Sequence, residues 1–156
     1  MIRNILVPTD FSAASREALN CARELAAALG ARLHVLHVVE QTVAPNVYTE
    51  LYVPPPSEYF DNLEAAAVAQ LEAWVPAADK VPFRVGLAVE LGTAAEEILR
   101  RIDSDPKIDL VVMATHGRHG IARLVLGSVA EQVVRAARCP VVTVKEGAGR
   151  PAARAA

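Results

Sequence analysis

Two stretches of this chain, residues 32–39 and 109–114, are rich in Val and Leu without polar alternation, the first broken only by His34 and His37 after Arg32 and the second wholly apolar after Asp109. A strand with one wet face alternates apolar and polar side chains, so runs like these must be covered on both faces. That requires helices above and below a largely parallel sheet, and parallel neighbours in turn require crossover connections. The rest of the chain supplies them. Residues 2–7 form a short apolar run ended by Pro8. From Ser12, the expected N-cap, Ala18, Ala22, Leu25 and Leu29 recur at spacings of four and three, with Arg16, Asn20, Arg23 and Glu24 on the other face and Gly30 as the stop.

Residues 58–75 repeat the helical pattern through Leu63, Ala67, Leu71, Trp74 and Val75, and residues 83–89 read as a third strand. Thr93 with Glu96 predicts a capping box opening a helix buried through Ile98, Leu99 and Ile102, with Pro106 beyond its end. Ser128 with Glu131 predicts a second box on the last helix, and residues 140–144 close the series as a fifth strand. Five strands alternating with four helices predict an α/β fold, a doubly wound open parallel sheet of Rossmann-like type with helices on both faces. Residues 1–146 read as a single domain and 147–156 as a disordered tail. Residues 40–57, with Pro45 and three consecutive prolines from Pro54, read as a long irregular connection.

Composition removes several functions. Sixteen Lys and Arg against eighteen Asp and Glu give a formal net charge of −2, without the basic footprint of a nucleic-acid binder. No run approaches the ~18 apolar residues of a membrane span, and the start of the chain has no apolar leader region. Cys21 and Cys139 stand alone, which points away from a disulfide scaffold and towards a reducing, cytoplasmic setting.

Chemistry concentrates in two loops, at 8–10 and 115–127, which leave the first and fourth strands. In open sheets of this kind ligands bind beyond the C-terminal strand ends, where the winding direction changes. The second loop carries His116, Gly117, Arg118, His119, Gly120, Arg123 and Gly127 with no acidic residue, and it runs into a helix N-terminus at Ser128. Glycines let backbone N–H groups approach an anion, and the helix start favours negative charge; on composition alone the same glycines could equally serve tight turns. Neither a P-loop nor a dinucleotide fingerprint is present. His34 and His37, three apart on a strand, fall on opposite faces and cannot share a metal; His116 and His119 have no third ligand nearby. Asp103, Asp105 and Asp109 read as the solvated end of a helix and its turn.

Spacing separates the alternatives. Gly117, nine residues, then Gly127-Ser128 resembles the nucleotide loop of the universal stress protein family, Gly-x2-Gly-x9-Gly-Ser/Thr. The opening residues 5–12, the end of the second strand at 36–39 and the closing residues 139–144 resemble that family too. The resemblance implies a sheet ordered 3-2-1-4-5, a homodimer and, in one branch, an ATP held between strands one and four. Carried over by position, it puts Asp10 on the ribose and adenine side with Pro8 and Thr9 shaping the wall, the backbone of Val38 on adenine, and Met113 as a soft apolar surface for the base. Ala114, His116, Gly117, Arg118, Gly120, Gly127, Ser128 and Val129 fall around the phosphates, where a branched side chain at Gly127 would intrude.

The family pattern begins with glycine where this chain has Ala114. Alanine there weakens binding if the position needs positive φ or a contact closer than a methyl allows, and is tolerated at negative φ. The uncharged run Val141, Val142, Thr143 and Val144 lies at the sheet's edge in the implied order and predicts the dimer contact. The expectation is thus a cytoplasmic, ATP-binding stress-response regulator, at most a slow hydrolase, with magnesium as a companion for which spacing names no ligand. Its alternative is a nucleotide-free dimer acting through a protein partner.

Overall fold

The computed structural model describes residues 1–40, 57–116, 126–145 and 147. Their elements are β1 (Asn4–Thr9), α1 (Ala13–Leu29), β2 (Arg32–Val39), α2 (Ser57–Trp74), α3 (Ala77–Lys80), β3 (Gly86–Leu91), α4 (Ala94–Ser104), β4 (Leu110–Ala114), α5 (Ser128–Ala136) and β5 (Val141–Val144). All strand pairings are parallel, in the order β3-β2-β1-β4-β5. The register runs Asn4↔Arg32 to Thr9↔His37 on one side of β1, and Ile5↔Leu110 and Leu6↔Val111 on the other.

Alternation along these strands feeds two core layers. Ile5, Val7, Leu33, Val35, Leu110 and Val112 point to α1 and α2, where Ala18, Ala22, Ala26, Leu71 and Val75 meet them. Leu6, Leu36, Val111 and Met113 point the other way, to Ile98 and Ile102 of α4 and Ala130 and Val133 of α5. The small residues Ala14, Ala18, Ala22 and Ala26 form one buried stripe at a spacing of four, which lets α1 lie close against the central strands. Ser12 caps α1 by accepting from the Ser15 N–H, and Gly30 ends it in the left-handed conformation at φ 65°. Leu29, on the expected stripe, is instead exposed at the helix's last residue.

Four expectations need correction. The third strand begins at Gly86 and not at residue 83, because Phe83 and Arg84 belong to the turn that follows α3. α3 itself was not foreseen; four residues are too few to show a helical period, so the described residues hold five helices where the pattern predicts four. Thr93 stands at the N-cap of α4 but its side chain makes no cap hydrogen bond. Glu96 faces solvent, and the acid buried at that helix start is Glu97, paired with Arg100. The last helix begins one residue earlier than expected, with Gly127 as N-cap, and Glu131 pairs with Arg135 at 2.9 Å and does not reach back into a box. The connection at 41–56 and the tail at 148–156 lie outside the described residues.

Charge is buried at one place beside α1. Asp79 of α3 is 3% exposed and meets Arg23 at 2.8 Å. Arg23 is the better solvated partner, its side chain 38% exposed. Removing it strands a carboxylate in the interior, whereas neutralising Asp79 leaves a guanidinium that can still turn to water. Arg23→Ala is therefore expected to lower the unfolding free energy by about 2–3 kcal/mol, and Asp79→Asn by less, in urea titrations; equal losses would show that the pair does not carry the difference.

Candidate functional site

At the C-terminal end of the sheet a cleft of about 580 Å³ opens between strand ends and helix starts. Its described walls are Pro8, Thr9 and Asp10 after β1, residues 36–40 at the end of β2, residues 113–116 at the end of β4, Ala94 and Ile98 of α4, and residues 127–130 at the start of α5.

The ladder sets what β2 presents there. In parallel pairing, alternate residues turn both backbone groups to the same neighbour. The Arg32 N–H donates to the Arg3 carbonyl at 2.7 Å while the Leu33 N–H donates to Phe83 on the other side. Val38 is in phase with Arg32, so its N–H and C=O turn towards β1. The β1–β2 register ends at Thr9↔His37, one residue short of Val38. The last rung, Thr9↔His37, takes the Val38 N–H to the Thr9 carbonyl, so Val38 offers its backbone carbonyl at the cleft, which the buried Met113 also lines.

Carboxylates gather on this side. Asp10 Oδ1 accepts from the Ser12 N–H at 3.0 Å and the Ser12 hydroxyl at 2.5 Å, fixing the side chain across the start of α1. Glu40 is exposed at the rim. The Thr9 hydroxyl, 6% exposed, donates to Ser15 Oγ at 3.1 Å.

The opposite side is the start of α5. Gly127 sits at its N-cap in an extended conformation, with no side-chain cap on the first turn. The helix's free N–H groups and its dipole therefore face the cleft. α4 also starts at the cleft, but its first turn carries Glu96 and Glu97, which oppose an anion there. His116 stands beside α5, its Nδ1 3.0 Å from Thr115 Oγ1 and its Nε2 buried with no hydrogen-bond partner among the described residues. A buried polar atom left unpaired is costly and calls for an occupant.

A family model described as the universal stress protein family matches residues 1–145. The chain belongs to that family. It is 31% identical over 151 residues to universal stress protein MJ0531 of Methanocaldococcus jannaschii, covering 94% of this chain and 84% of the relative. With universal stress protein A homolog 1 of Coxiella burnetii it shares 32% identity over 143 residues, 91% of this chain and 95% of the relative. Among solved structures, the universal stress protein UspA from Lactobacillus plantarum superposes with a TM-score of 0.69 at 26% identity, covering 92% of this chain and 97% of that one. A universal stress protein in complex with cAMP shares the fold with a TM-score of 0.56 at 23% identity, covering 91% and 95%.

In this universal stress protein Pro8, Thr9, Asp10, Val38, Met113, Ala114, His116, Gly127, Ser128 and Val129 come together around one cleft. Gly117, Arg118 and Gly120 lie outside the described residues. Ala114 is in β4, paired with Val144, and is not among the residues with positive φ. Its side chain packs with the core layer under α1, so the backbone here does not require glycine.

A Cβ on Gly127 would lie 2.9 Å from the Thr115 carbonyl, so an added side chain there meets the end of β4. The contact exists because the Gly127 N–H donates to that carbonyl at 2.8 Å, closing the base of the loop. Ser15 and the α4 residues Ala94 and Ile98 also line the cleft and went unnoticed in the sequence, where they carry only the signals of a cap and of an amphipathic face.

At an ordinary φ of −60°, Gly→Ala normally stabilises by restricting the unfolded chain. At Gly127 the close carbonyl reverses the sign, and Gly127→Ala is expected to cost about 1–2 kcal/mol in urea unfolding. Gly86, whose added Cβ would stand 3.5 Å from His34 Nδ1, serves as the control and should tolerate alanine within about 0.5 kcal/mol. Equal effects at the two positions would refute the close-approach role.

Proposed function

We propose that this universal stress protein binds ATP in the cleft and acts as a nucleotide-dependent regulator. The observation that carries the reading is the cleft's polarity: a carboxylate and a backbone recognition edge on one side, an uncapped helix N-terminus on the other. An adenine's amino group can donate to the Val38 carbonyl, and Met113 offers the ring's face an apolar, polarisable contact. Asp10 accepts from ribose hydroxyls. The triphosphate then runs to Gly127, Ser128 and Val129, where backbone N–H groups, the Ser128 hydroxyl and the unpaired His116 Nε2 can donate to it.

A likeness at 23% identity carries only the fold of the cAMP complex, so the support from this chain is its own residues. Magnesium, when it accompanies ATP, would ride on the phosphate oxygens and water. Among the described residues no three His, Cys, Asp or Glu side chains are grouped to hold an ion. Among the same residues no helix is long and apolar enough to cross a membrane. A cytoplasmic setting, where ATP is plentiful, goes with the nucleotide reading.

Freshly purified protein, denatured and examined by mass spectrometry, is expected to release adenine nucleotide. The stripped protein should bind ATP about tenfold more tightly than AMP, because only ATP spans the cleft to α5. Equal affinity for AMP would place no phosphate at α5, and failure to bind either would overturn the reading.

The homodimer belongs to the same proposal and rests on the outer edge of β5. The Val111 N–H donates to the Pro140 carbonyl and the Thr115 N–H to the Val144 carbonyl. In that phase Val142 and Val144 turn their backbone groups to β4, while Val141 and Thr143 turn theirs outward. A proline at 142 would therefore damage the monomer's own sheet. Thr143→Pro removes only an outward donor and is expected to give a monomer in sedimentation velocity, with the sheet intact by circular dichroism; a persistent dimer would place the interface elsewhere.

A further inference from the structure

Phe11 follows Asp10 at the mouth of the cleft with φ at +64°, a left-handed conformation that strains a bulky residue. Several contacts hold it there. Its N–H donates to Thr9 Oγ1 at 3.0 Å, and the same hydroxyl donates to Ser15 Oγ, which donates to the Ser12 carbonyl at 3.0 Å. Its ring stacks on His37 with centroids 4.2 Å apart and meets the edge of Trp74 at 6.0 Å. Trp74 is pinned in turn by Arg16, whose guanidinium lies 3.8 Å over the indole and donates to the Trp74 carbonyl at 2.8 Å.

This assembly is joined to the cleft at three points. Thr9, Asp10 and His37 all line it, and Asp10 is the residue immediately before the strained one. The Asp10 carboxylate reaches Ser12 across Phe11, so the left-handed turn is what folds Asp10 back over the start of α1. A strained residue persists only where its surroundings over-determine it, and such residues concentrate at ligand clamps.

We infer that Phe11 is a positioning residue, a strained clamp whose docking on His37 and Trp74 holds Asp10 in place for the ligand and couples cleft occupancy to Trp74. The inference rests on the reading of the cleft as an adenine-nucleotide site. With the ring docked, the turn keeps its left-handed form and Asp10 its orientation. With the ring undocked, the strain favours a relaxed turn by roughly tenfold, and Asp10 swings with it. A ligand that meets Asp10 only in the docked arrangement draws the population towards it, and by linkage steadies Trp74.

Substitutions at Phe11 separate this role from simple packing. Leucine keeps the cost of positive φ and loses the aromatic stack, whereas glycine loses the stack and the cost together. In calorimetric titrations Phe11→Leu is expected to weaken ATP about tenfold and Phe11→Gly only about threefold. A packing role gives the reverse order, since glycine removes more apolar surface. Trp74 is the chain's single tryptophan, so its emission reports the far end of the stack. Acrylamide quenching of Trp74 should fall when ATP is added to the wild type and stay unchanged in Phe11→Leu.

Thr9→Val offers a second route should a Phe11 variant fail to fold. It removes the acceptor for the Phe11 N–H, should weaken ATP binding as Phe11→Leu does, and should be restored by Thr9→Ser. Wild-type affinity in Phe11→Leu, the reversed order, or a Trp74 signal indifferent to ATP in a wild type that binds it would overturn the clamp and leave the nucleotide reading standing. A wild type that binds no ATP overturns both.

Discussion

The structure depends on the burial of β1 on every side. Ile5, Leu6 and Val7 are at most 1% exposed, β2 and β4 flank the strand in the sheet, and helices cover both of its faces. A strand so placed can keep its backbone groups paired only while both neighbours run beside it. Pairing with β4 ends at Leu6↔Val111, short of Pro8, which has no N–H to give, and pairing with β2 ends at Thr9↔His37, where the chain leaves the sheet through Asp10 and Phe11 into α1. The cleft is the space that this exit opens, and β2, which runs on to Val39, forms its wall.

Electrostatics then divide the cleft without any strong charge in its floor. Helix starts are alike in their free N–H groups, and what distinguishes them here is compensation. α1 is satisfied by Ser12, and α4 carries Glu96 and Glu97 in its first turn. α5 has no side-chain cap, and the single acid of its first turn, Glu131, is paired with Arg135. Among the described helix starts that border the cleft, it is the one with neither a side-chain cap nor two first-turn acids. The glycine there serves the approach of two backbone segments, its N–H meeting the Thr115 carbonyl.

A second consequence of the β1 exit is conformational. Of the three residues between this buried central strand and α1, Phe11 lies in the left-handed region. Its cost is offset by aromatic contacts reaching Trp74 at the end of α2. The cleft-lining carboxylate of Asp10 and the packing of an outer helix therefore share one turn.

Much of this was legible in the residues. Double-sided apolar runs determined a parallel sheet, because only helices on both faces can hide them, and local chemistry determined the caps of α1 at Ser12 and Gly30. The spacing of Gly117 and Gly127-Ser128 determined the family. What lay beyond the sequence is whatever depends on the direction of a bond and not on the identity of a residue. Thr93 and Ser128 fit capping boxes by type, yet the neighbouring backbone put Glu96 in solvent and moved the N-cap to Gly127. Val141 to Val144 read alike as an edge, and only the ladder's phase turns the backbone of Val142 to β4 and that of Thr143 outward. Ala114 reads as a lost glycine until its φ and its packing show that the backbone there does not require one. The strain at Phe11 has no sequence signature, because it arises where a strand end, a helix start and a distant tryptophan are brought together, and only the tertiary structure brings them there.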